Sequence, residues 1–64
     1  MVQMSLKAAR VNAKLTQEKA AKLIGISVST LKNWEKCVTF PKQPHIYKIC
    51  EVYGVQYDQI FFGK

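Results

Sequence analysis

The sequence predicts an all-α fold, a single small domain built from five helices. Apolar residues recur every three to four positions along most of the chain, and no alternating stretch is long enough to support a sheet. Serine, threonine, proline and glycine stand where those helices would begin and end. A chain of 64 residues buries only about 60% of its unfolded surface, so residues 1–64 are predicted to share one core and form one domain.

The first helix is predicted over residues 3–14, and the second begins just after it. The apolar positions of the first helix follow helical spacing: Leu6, Ala9 and Ala13. Thr16 is a suitable N-cap for the second helix, and the carboxylate of Glu18 in its first turn favours the helix dipole. We expect the second helix to run to about Leu23 and to stop at Gly25.

The third helix follows after a short turn. Ser27 is its predicted N-cap, and the helix is expected over residues 28–36. Two helices joined by so few residues, with Gly25 in the turn, must cross steeply, which is the helix-turn-helix arrangement. Such a motif is therefore predicted over about residues 16–36.

The remainder of the chain is predicted to be a loop, a fourth helix and a short fifth one. The loop covers residues 37–43, and Pro44 suits the first turn of the fourth helix, which ends at Gly54. The fifth helix is a last short turn over residues 57–62. All five helices would pack on the same core.

Charge and composition restrict the function classes. Ten lysines and arginines against four acidic residues give a net charge of +6, which attracts phosphates, an anionic membrane surface or an acidic protein. No apolar run approaches the roughly 20 residues of a membrane-spanning helix, and the first residues lack the apolar segment of a signal peptide. We therefore expect a cytoplasmic protein that does not enter a membrane.

Residues suited to metal or covalent chemistry are scarce. Cys37, His45 and Cys50 are the cysteines and histidine of the chain, one ligand fewer than a structural zinc site needs, so we predict no metal. A single disulfide is the alternative for the two cysteines, but without a secretory signal two reduced thiols are favoured. The chain offers no nucleophile with a matching base and no glycine-rich phosphate loop. We predict that the protein is not an enzyme and uses no cofactor or small-molecule ligand.

The third helix divides into two faces by helical spacing. Leu31 and Trp34 point inward, and their spacing favours Trp34 as a core residue over a stacking platform for a single strand. The outward residues are predicted to read bases in the major groove, which admits one α-helix: Val28, Ser29, Lys32 and Asn33. Asn33 can bond adenine N6 and N7, and Lys32 can bond guanine O6 and N7. The methyl groups of Val28 can pack on a thymine methyl.

Two stretches of the chain match a known family. The first is TQEKAAKLIGISVSTLKNWEK, residues 16–36, and the second is YGVQYDQIF, residues 53–61. The shared features are Thr-Gln-Glu at the start of the second helix, Gly in the turn, Ser-x-Ser-Thr at the start of the third helix and Trp-Glu at its end. In these features the chain resembles the Cro/CI-type (XRE) family of phage-repressor-like helix-turn-helix proteins. The resemblance implies a lambda-repressor-like DNA-binding domain over nearly the whole chain.

The resemblance also implies roles for individual residues. Gln17 would clamp the DNA backbone, as would residues after the third helix, and Gln17 and Ser27 stand at helix N-termini, where free backbone N–H groups bind phosphate. The predicted phosphate contacts are Gln17, Ser27, Thr30, Lys36, Thr39 and Lys42. Arg10 would pair with Glu35 and tie the first helix to the third, and deleting one partner of such a partly buried pair would cost roughly 3–5 kcal/mol.

Three residues depart from the family pattern. Lys19 replaces the usual acidic residue and removes the reciprocal capping box behind Thr16. Val28 stands where the family usually carries a polar reader, which favours thymine packing at that base. Cys37 replaces the glycine that ends the third helix in a left-handed conformation, so either Cys37 bears strain of about 1 kcal/mol or the helix ends differently.

Aromatic residues are concentrated in the last third of the chain. Tyr53 and Phe61 are expected in the core, whereas Phe62 and Tyr57 are expected to be exposed and to form a dimer contact. His45 is expected to be solvated in the first turn of the fourth helix.

Two hypotheses of function follow. The first is a sequence-specific regulator that binds double-stranded DNA, a repressor of phage or mobile-element type in the bacterial cytoplasm or nucleoid. It would act as a homodimer on a pseudo-palindromic operator, with dimerisation weak in solution and completed on DNA. The second is a protein-interaction module, antitoxin-like or adaptor-like, whose basic surface binds an acidic protein. A charge swap at Lys32 and Asn33 separates the two, because a DNA reader would lose specific binding, whereas an interaction module that uses the C-terminal aromatic residues would not.

Overall fold

The computed structural model describes residues 3–61, and these residues form a mainly helical domain with four α-helices. The helices are α1 (Leu6–Asn12), α2 (Gln17–Ile24), α3 (Val28–Glu35) and α4 (Gln43–Tyr53). A single 3-10 turn covers Tyr57–Gln59, and two strands pair in parallel, β1 (Met4–Ser5) and β2 (Ile60–Phe61). The predicted helical fold class is confirmed, but the prediction of five helices is wrong.

The difference lies at the end of the chain, where a fifth helix was expected over 57–62. The 3-10 turn is held by Gln59, whose side-chain oxygen accepts the Gln56 backbone N–H at 2.8 Å. Ile60 then adopts extended backbone and is only 3% exposed, because it packs into the core while its backbone pairs opposite Met4. Two residues per strand are too few to show as alternation in the sequence, so the prediction of no sheet missed this pair. Phe62 lies outside the described residues.

The first helix is shorter at both ends than the predicted 3–14. Ser5 is its N-cap, and its hydroxyl accepts the Ala8 backbone N–H at 3.1 Å, so Met4 and Ser5 stay extended and form β1. At the other end Lys14 takes a left-handed conformation with φ 61°, which the helical spacing did not reveal. Its backbone N–H donates to the Val11 carbonyl at 2.9 Å and completes the reversal.

The second and third helices form the predicted helix-turn-helix. Thr16 accepts the Lys19 backbone N–H at 3.1 Å, which confirms it as the N-cap of α2. The Ser27 hydroxyl accepts the Thr30 backbone N–H at 3.1 Å, which confirms Ser27 as the N-cap of α3. Gly25 ends α2 with φ 91°, and the chain needs only two more residues before α3 begins.

The core is formed by one inward-facing set from all four helices and β2. Its buried hydrophobic members are Leu6, Ala9, Ala20, Ala21, Ile24, Leu31, Trp34, Ile49, Tyr53 and Ile60. Small Ala20 and Ala21, at 0% and 1% exposure, let α2 approach its neighbours closely. The prediction that Trp34 and Tyr53 are core residues is confirmed.

Two of the aromatic assignments need correction. Phe61 is 48% exposed instead of buried, because alternation in β2 turns Ile60 inward and Phe61 outward. His45 is half-buried instead of fully solvated, since its ring packs 5.3 Å from the centre of the Trp34 ring at a tilt of 52°. The first turn of α4 therefore covers part of the only tryptophan.

The third helix ends in a Schellman-type reversal at Cys37. This residue has φ 62°, the left-handed conformation expected from the glycine that it replaces. The Val38 backbone N–H donates to the Asn33 carbonyl at 2.9 Å, and the Cys37 backbone N–H donates to the Trp34 carbonyl at 3.2 Å. Of the two alternatives, strain at Cys37 and a different helix end, the structure has the first.

Replacing Cys37 with glycine is expected to stabilise the protein by about 1 kcal/mol, because glycine adopts positive φ without the steric cost of a Cβ atom. The free energy of unfolding from a urea titration measures the change. Gly54→Ala is the matched opposite: a Cβ there meets no atom within 4 Å, so its loss of stability would come from backbone conformation alone. A Cys37→Gly variant no more stable than the wild type would show that Cys37 carries no strain.

Candidate nucleic-acid interface

The outward face of α3 exposes polar groups that have no partner among the described residues. Leu31 and Trp34 are buried at 0% and 6% exposure on the inward face, as predicted. Three of the predicted base-reading side chains are exposed and form no hydrogen bond or ion pair within residues 3–61: Ser29, Lys32 and Asn33. These groups are therefore free to bond an external partner along two successive turns of one helix.

Val28 lies differently from the other three. It is half-buried and packs against the core cluster, so part of its side chain already has a hydrophobic neighbour. The remaining surface can contact an apolar group such as a methyl, but it offers no hydrogen bond. The residue joins the core to the polar face at the first turn of α3.

The predicted phosphate contacts near the start of α3 are linked to each other. The hydroxyls of Ser27 and Thr30 lie 2.9 Å apart and share a hydrogen bond, in addition to the backbone cap. Ser27 is exposed and Thr30 is half-buried. The pair fixes both hydroxyls at the entrance of the helix, where the positive end of the helix dipole lies.

Three more predicted phosphate contacts lie beyond the other end of α3. Lys36 is the C-cap, Thr39 lies in the connection to α4, and Lys42 is the N-cap residue of α4. All three are exposed. The two lysines form no ion pair within the described chain, so both charges are available to an external anion.

Gln17 begins α2 and is half-buried. Its carboxamide nitrogen donates to Glu35 Oε1 at 3.0 Å, a contact that the sequence did not predict. The backbone N–H groups of Gln17 and Glu18 precede the first bond of the helix and have no acceptor within residues 3–61. The start of α2 thus presents two free backbone donors beside one anchored side chain.

Arg10 and Glu35 form the ion pair that the family resemblance implied. Arg10 Nε lies 2.7 Å from Glu35 Oε2, and the two side chains are only 10% and 5% exposed. Arg10 Nη1 also donates to the Leu15 carbonyl at 2.8 Å, so the guanidinium holds the turn after α1 as well. Burial of this kind makes loss of one partner expensive, roughly 3–5 kcal/mol, since the other charge is left unpaired.

Tyr53 lies close to this pair from the side of α4. Its hydroxyl is buried and has no hydrogen-bond partner in the described part of the chain. Burial raises the pKa of Tyr53 to about 12, with a further increase from the negative charge of Glu35 and a decrease from Arg10. A core tyrosine was expected at this position, but nothing in the sequence indicated that its hydroxyl would interact with the charges of an ion pair.

Cys37 is exposed and Cys50 is half-buried, and both are free thiols, as predicted. Burial raises the pKa of the Cys50 thiol. Within residues 3–61 no three His, Cys, Asp or Glu side chains come close enough to hold a metal ion. Among the same residues no helix is long and apolar enough to cross a membrane.

Comparison with known families gives a match over nearly all of the described residues. The family described as helix-turn-helix matches residues 6–60, from the first residue of α1 to the first of β2. The chain therefore belongs to the XRE or Cro/CI type of helix-turn-helix proteins, a family of DNA-binding regulators. Comparison with curated proteins found no match, and comparison with solved structures found none.

The raised pKa of Tyr53 predicts a loss of stability at high pH. A group whose pKa rises on folding stabilises the folded state below its ordinary value, and that contribution disappears as the pH rises through the folded value. We therefore expect the free energy of unfolding to fall between pH 10 and about 12, where Tyr53 ionises in the two states. In Tyr53→Phe the free energy of unfolding should decrease less over this pH range.

Tyr47→Phe is the control, because Tyr47 is 65% exposed. At neutral pH Tyr53→Phe should be at least as stable as the wild type, since the hydroxyl that it removes has no partner. Urea titrations of the three proteins across this pH range measure both effects. Identical pH curves for Tyr53→Phe and the wild type would contradict the assignment.

Proposed function

We propose that this protein is a sequence-specific regulator that reads double-stranded DNA through α3. The observation that carries the proposal is the unpartnered polar face of this helix, with Ser29, Lys32 and Asn33 exposed opposite a fully buried anchor. A helix with one face fixed in the core and the other free for hydrogen bonding fits a major groove about 12 Å wide. Membership of a DNA-binding family supports the same use of this face.

Each reader has a distinct task in the proposal. Asn33 bonds the N6 and N7 atoms of one adenine, and Lys32 bonds the O6 and N7 atoms of a guanine. Ser29 bonds one of several bases, and the exposed part of Val28 packs on a thymine methyl. The half-burial of Val28 supports an apolar contact at that position instead of a polar one.

Phosphates on either side of the groove would be held by the second set of residues. Gln17 and the free N–H groups of α2 hold one backbone strand, with Ser27 and Thr30 at the start of α3. Lys36, Thr39 and Lys42 hold phosphates beyond the other end of α3. These contacts orient the domain, and the net charge of +6 supplies sequence-independent affinity.

We further propose a cytoplasmic repressor of phage or mobile-element type, in which residues 1–64 act as one domain and two copies bind a pseudo-palindromic operator. The described residues measure 30 × 23 × 19 Å, so neighbouring copies can touch while their α3 helices lie about 34 Å apart in successive major grooves. Exposed Tyr57 and Phe61, at 59% and 48%, are candidate contacts between the copies. Occupancy of a promoter would then block polymerase.

Asn33→Ala and Lys36→Ala are expected to weaken DNA binding in different ways. Selection from random duplexes, followed by titration at two salt concentrations, should give a two-fold-related site. Asn33→Ala should cost roughly 1–3 kcal/mol on that site and relax one base position, because a bidentate base contact is lost. Lys36→Ala should weaken all duplexes alike and reduce the salt slope by about 1, because one phosphate contact is lost.

Lys48→Ala is the charge-matched control, since Lys48 lies on α4 beside Glu51 and has no role in the proposed interface. Its salt slope should change less than that of Lys36→Ala. Uniform binding that depends steeply on salt and ignores Asn33 would contradict base reading. The protein-interaction module would then be the better account, with its partner bound through the C-terminal aromatic residues, and a charge swap at Lys32 and Asn33 would leave that contact intact.

Association of two copies is expected on DNA more than in solution. Sedimentation of the protein alone should give the mass of a monomer at micromolar concentration, and the complex with a selected duplex should contain two copies. A duplex carrying a single half-site should hold one copy and bind more weakly, because the contact between copies is lost. A footprint without two half-sites would contradict the dimer.

A further inference from the structure

Glu35 contacts two helices, α1 through the ion pair with Arg10 and α2 through a hydrogen bond from Gln17. Oε2 accepts from Arg10 Nε at 2.7 Å, whereas Oε1 accepts from Gln17 Nε2 at 3.0 Å and lies 3.5 Å from Arg10 Nη2. Glu35 is the last residue of α3 and Gln17 is the first residue of α2. The carboxylate therefore connects the end of the base-reading helix to the start of the helix proposed to hold a phosphate.

From this arrangement we infer that Glu35 is a positioning residue for DNA binding, which orients the Gln17 carboxamide so that its second N–H can be donated to a phosphate. The inference depends on the proposed phosphate contact of Gln17. A primary amide has two N–H donors in one plane. Donation of one of them to Glu35 restricts rotation of the amide and therefore restricts the direction of the other.

The charge of Arg10 makes this use of a carboxylate possible. An unpaired Glu35 near the DNA backbone would repel phosphate and weaken the contact. The guanidinium lies 2.7 Å from the carboxylate and neutralises it, so Glu35 can accept from Gln17 without adding net negative charge to the interface. Gln17 is half-buried, which leaves part of the amide at the surface beside the free backbone N–H groups of α2.

The alternative is that Glu35 is needed only for the fold, through Arg10. The two accounts differ in one respect: positioning requires an acceptor at residue 35 even when the ion pair is absent. The ion pair can be removed as a unit, because replacing both members of a buried pair by neutral residues of similar size is often tolerated. Arg10→Met/Glu35→Gln keeps an acceptor beside Gln17, whereas Arg10→Met/Glu35→Met does not.

The test measures the effect of Gln17→Ala in the wild type and in these two backgrounds. The probe is a mixed-sequence duplex of about 20 base pairs at low salt, since a phosphate contact does not depend on sequence. We expect Gln17→Ala to weaken binding about tenfold in the wild type and in the Glu35→Gln background. In the Glu35→Met background it should weaken binding less than about twofold, because the amide is no longer oriented.

Three results would overturn the inference. They are an equal loss on Gln17→Ala in all backgrounds, a small loss in the Glu35→Gln background, and no loss in the wild type. A wild-type protein that does not bind the duplex at low salt would refute the proposed function itself, which keeps the two failures distinct. Thermal unfolding of every variant establishes that it is folded.

A measurement on the unmodified protein covers the case in which the Glu35→Met background does not fold. In nitrogen-15 spectra, one side-chain N–H of Gln17 should exchange slowly in the free protein, and the other should shift when the duplex is added. Gln59 is the reference, because its side-chain nitrogen donates to no group within residues 3–61. Equally fast exchange of both Gln17 hydrogens, at the rate of Gln59, would overturn the inference.

Discussion

The buried ion pair between Arg10 and Glu35 is the interaction on which the arrangement of the helices depends. It joins α1 to α3, and through Leu15 and Gln17 it also holds the turn before α2 and the first residue of that helix. Helices of seven or eight residues are marginal on their own, so their relative positions must come from tertiary contacts. The hydrophobic core supplies most of the stabilisation, while the charged contact fixes direction because hydrogen bonds require particular angles.

The positions of the acidic residues help to explain why the lysines near α3 have no ion-pair partner. Of the four acidic residues, Glu35 is buried against Arg10 and Glu51 lies beside Lys48 on α4. Lys32, Lys36 and Lys42 consequently keep their charges unpaired within the described chain. The single buried carboxylate contributes to the fold and scarcely opposes the positive field, because its charge is already neutralised.

Much of the fold could be predicted from the sequence, because caps and apolar spacing are local signals. Thr16, Ser27 and Gly25 are enough to predict the helix-turn-helix, and the spacing of Leu31 and Trp34 predicts its inward face. The parallel pairing of Met4 with Ile60 was missed, since two-residue strands joined across the whole chain have no local pattern. The bond from Gln17 to Glu35 was missed for the same reason: it depends on where two helix ends meet.

The pairing of β1 with β2, at the two ends of the described chain, affects the order of folding. The helix-turn-helix contacts are close in sequence and can form within a short loop, but joining β1 to β2 closes almost the entire chain. Loop closure of that length carries an entropic cost that the nearby contacts avoid. The strand pair should therefore be the last element to form and the first to open.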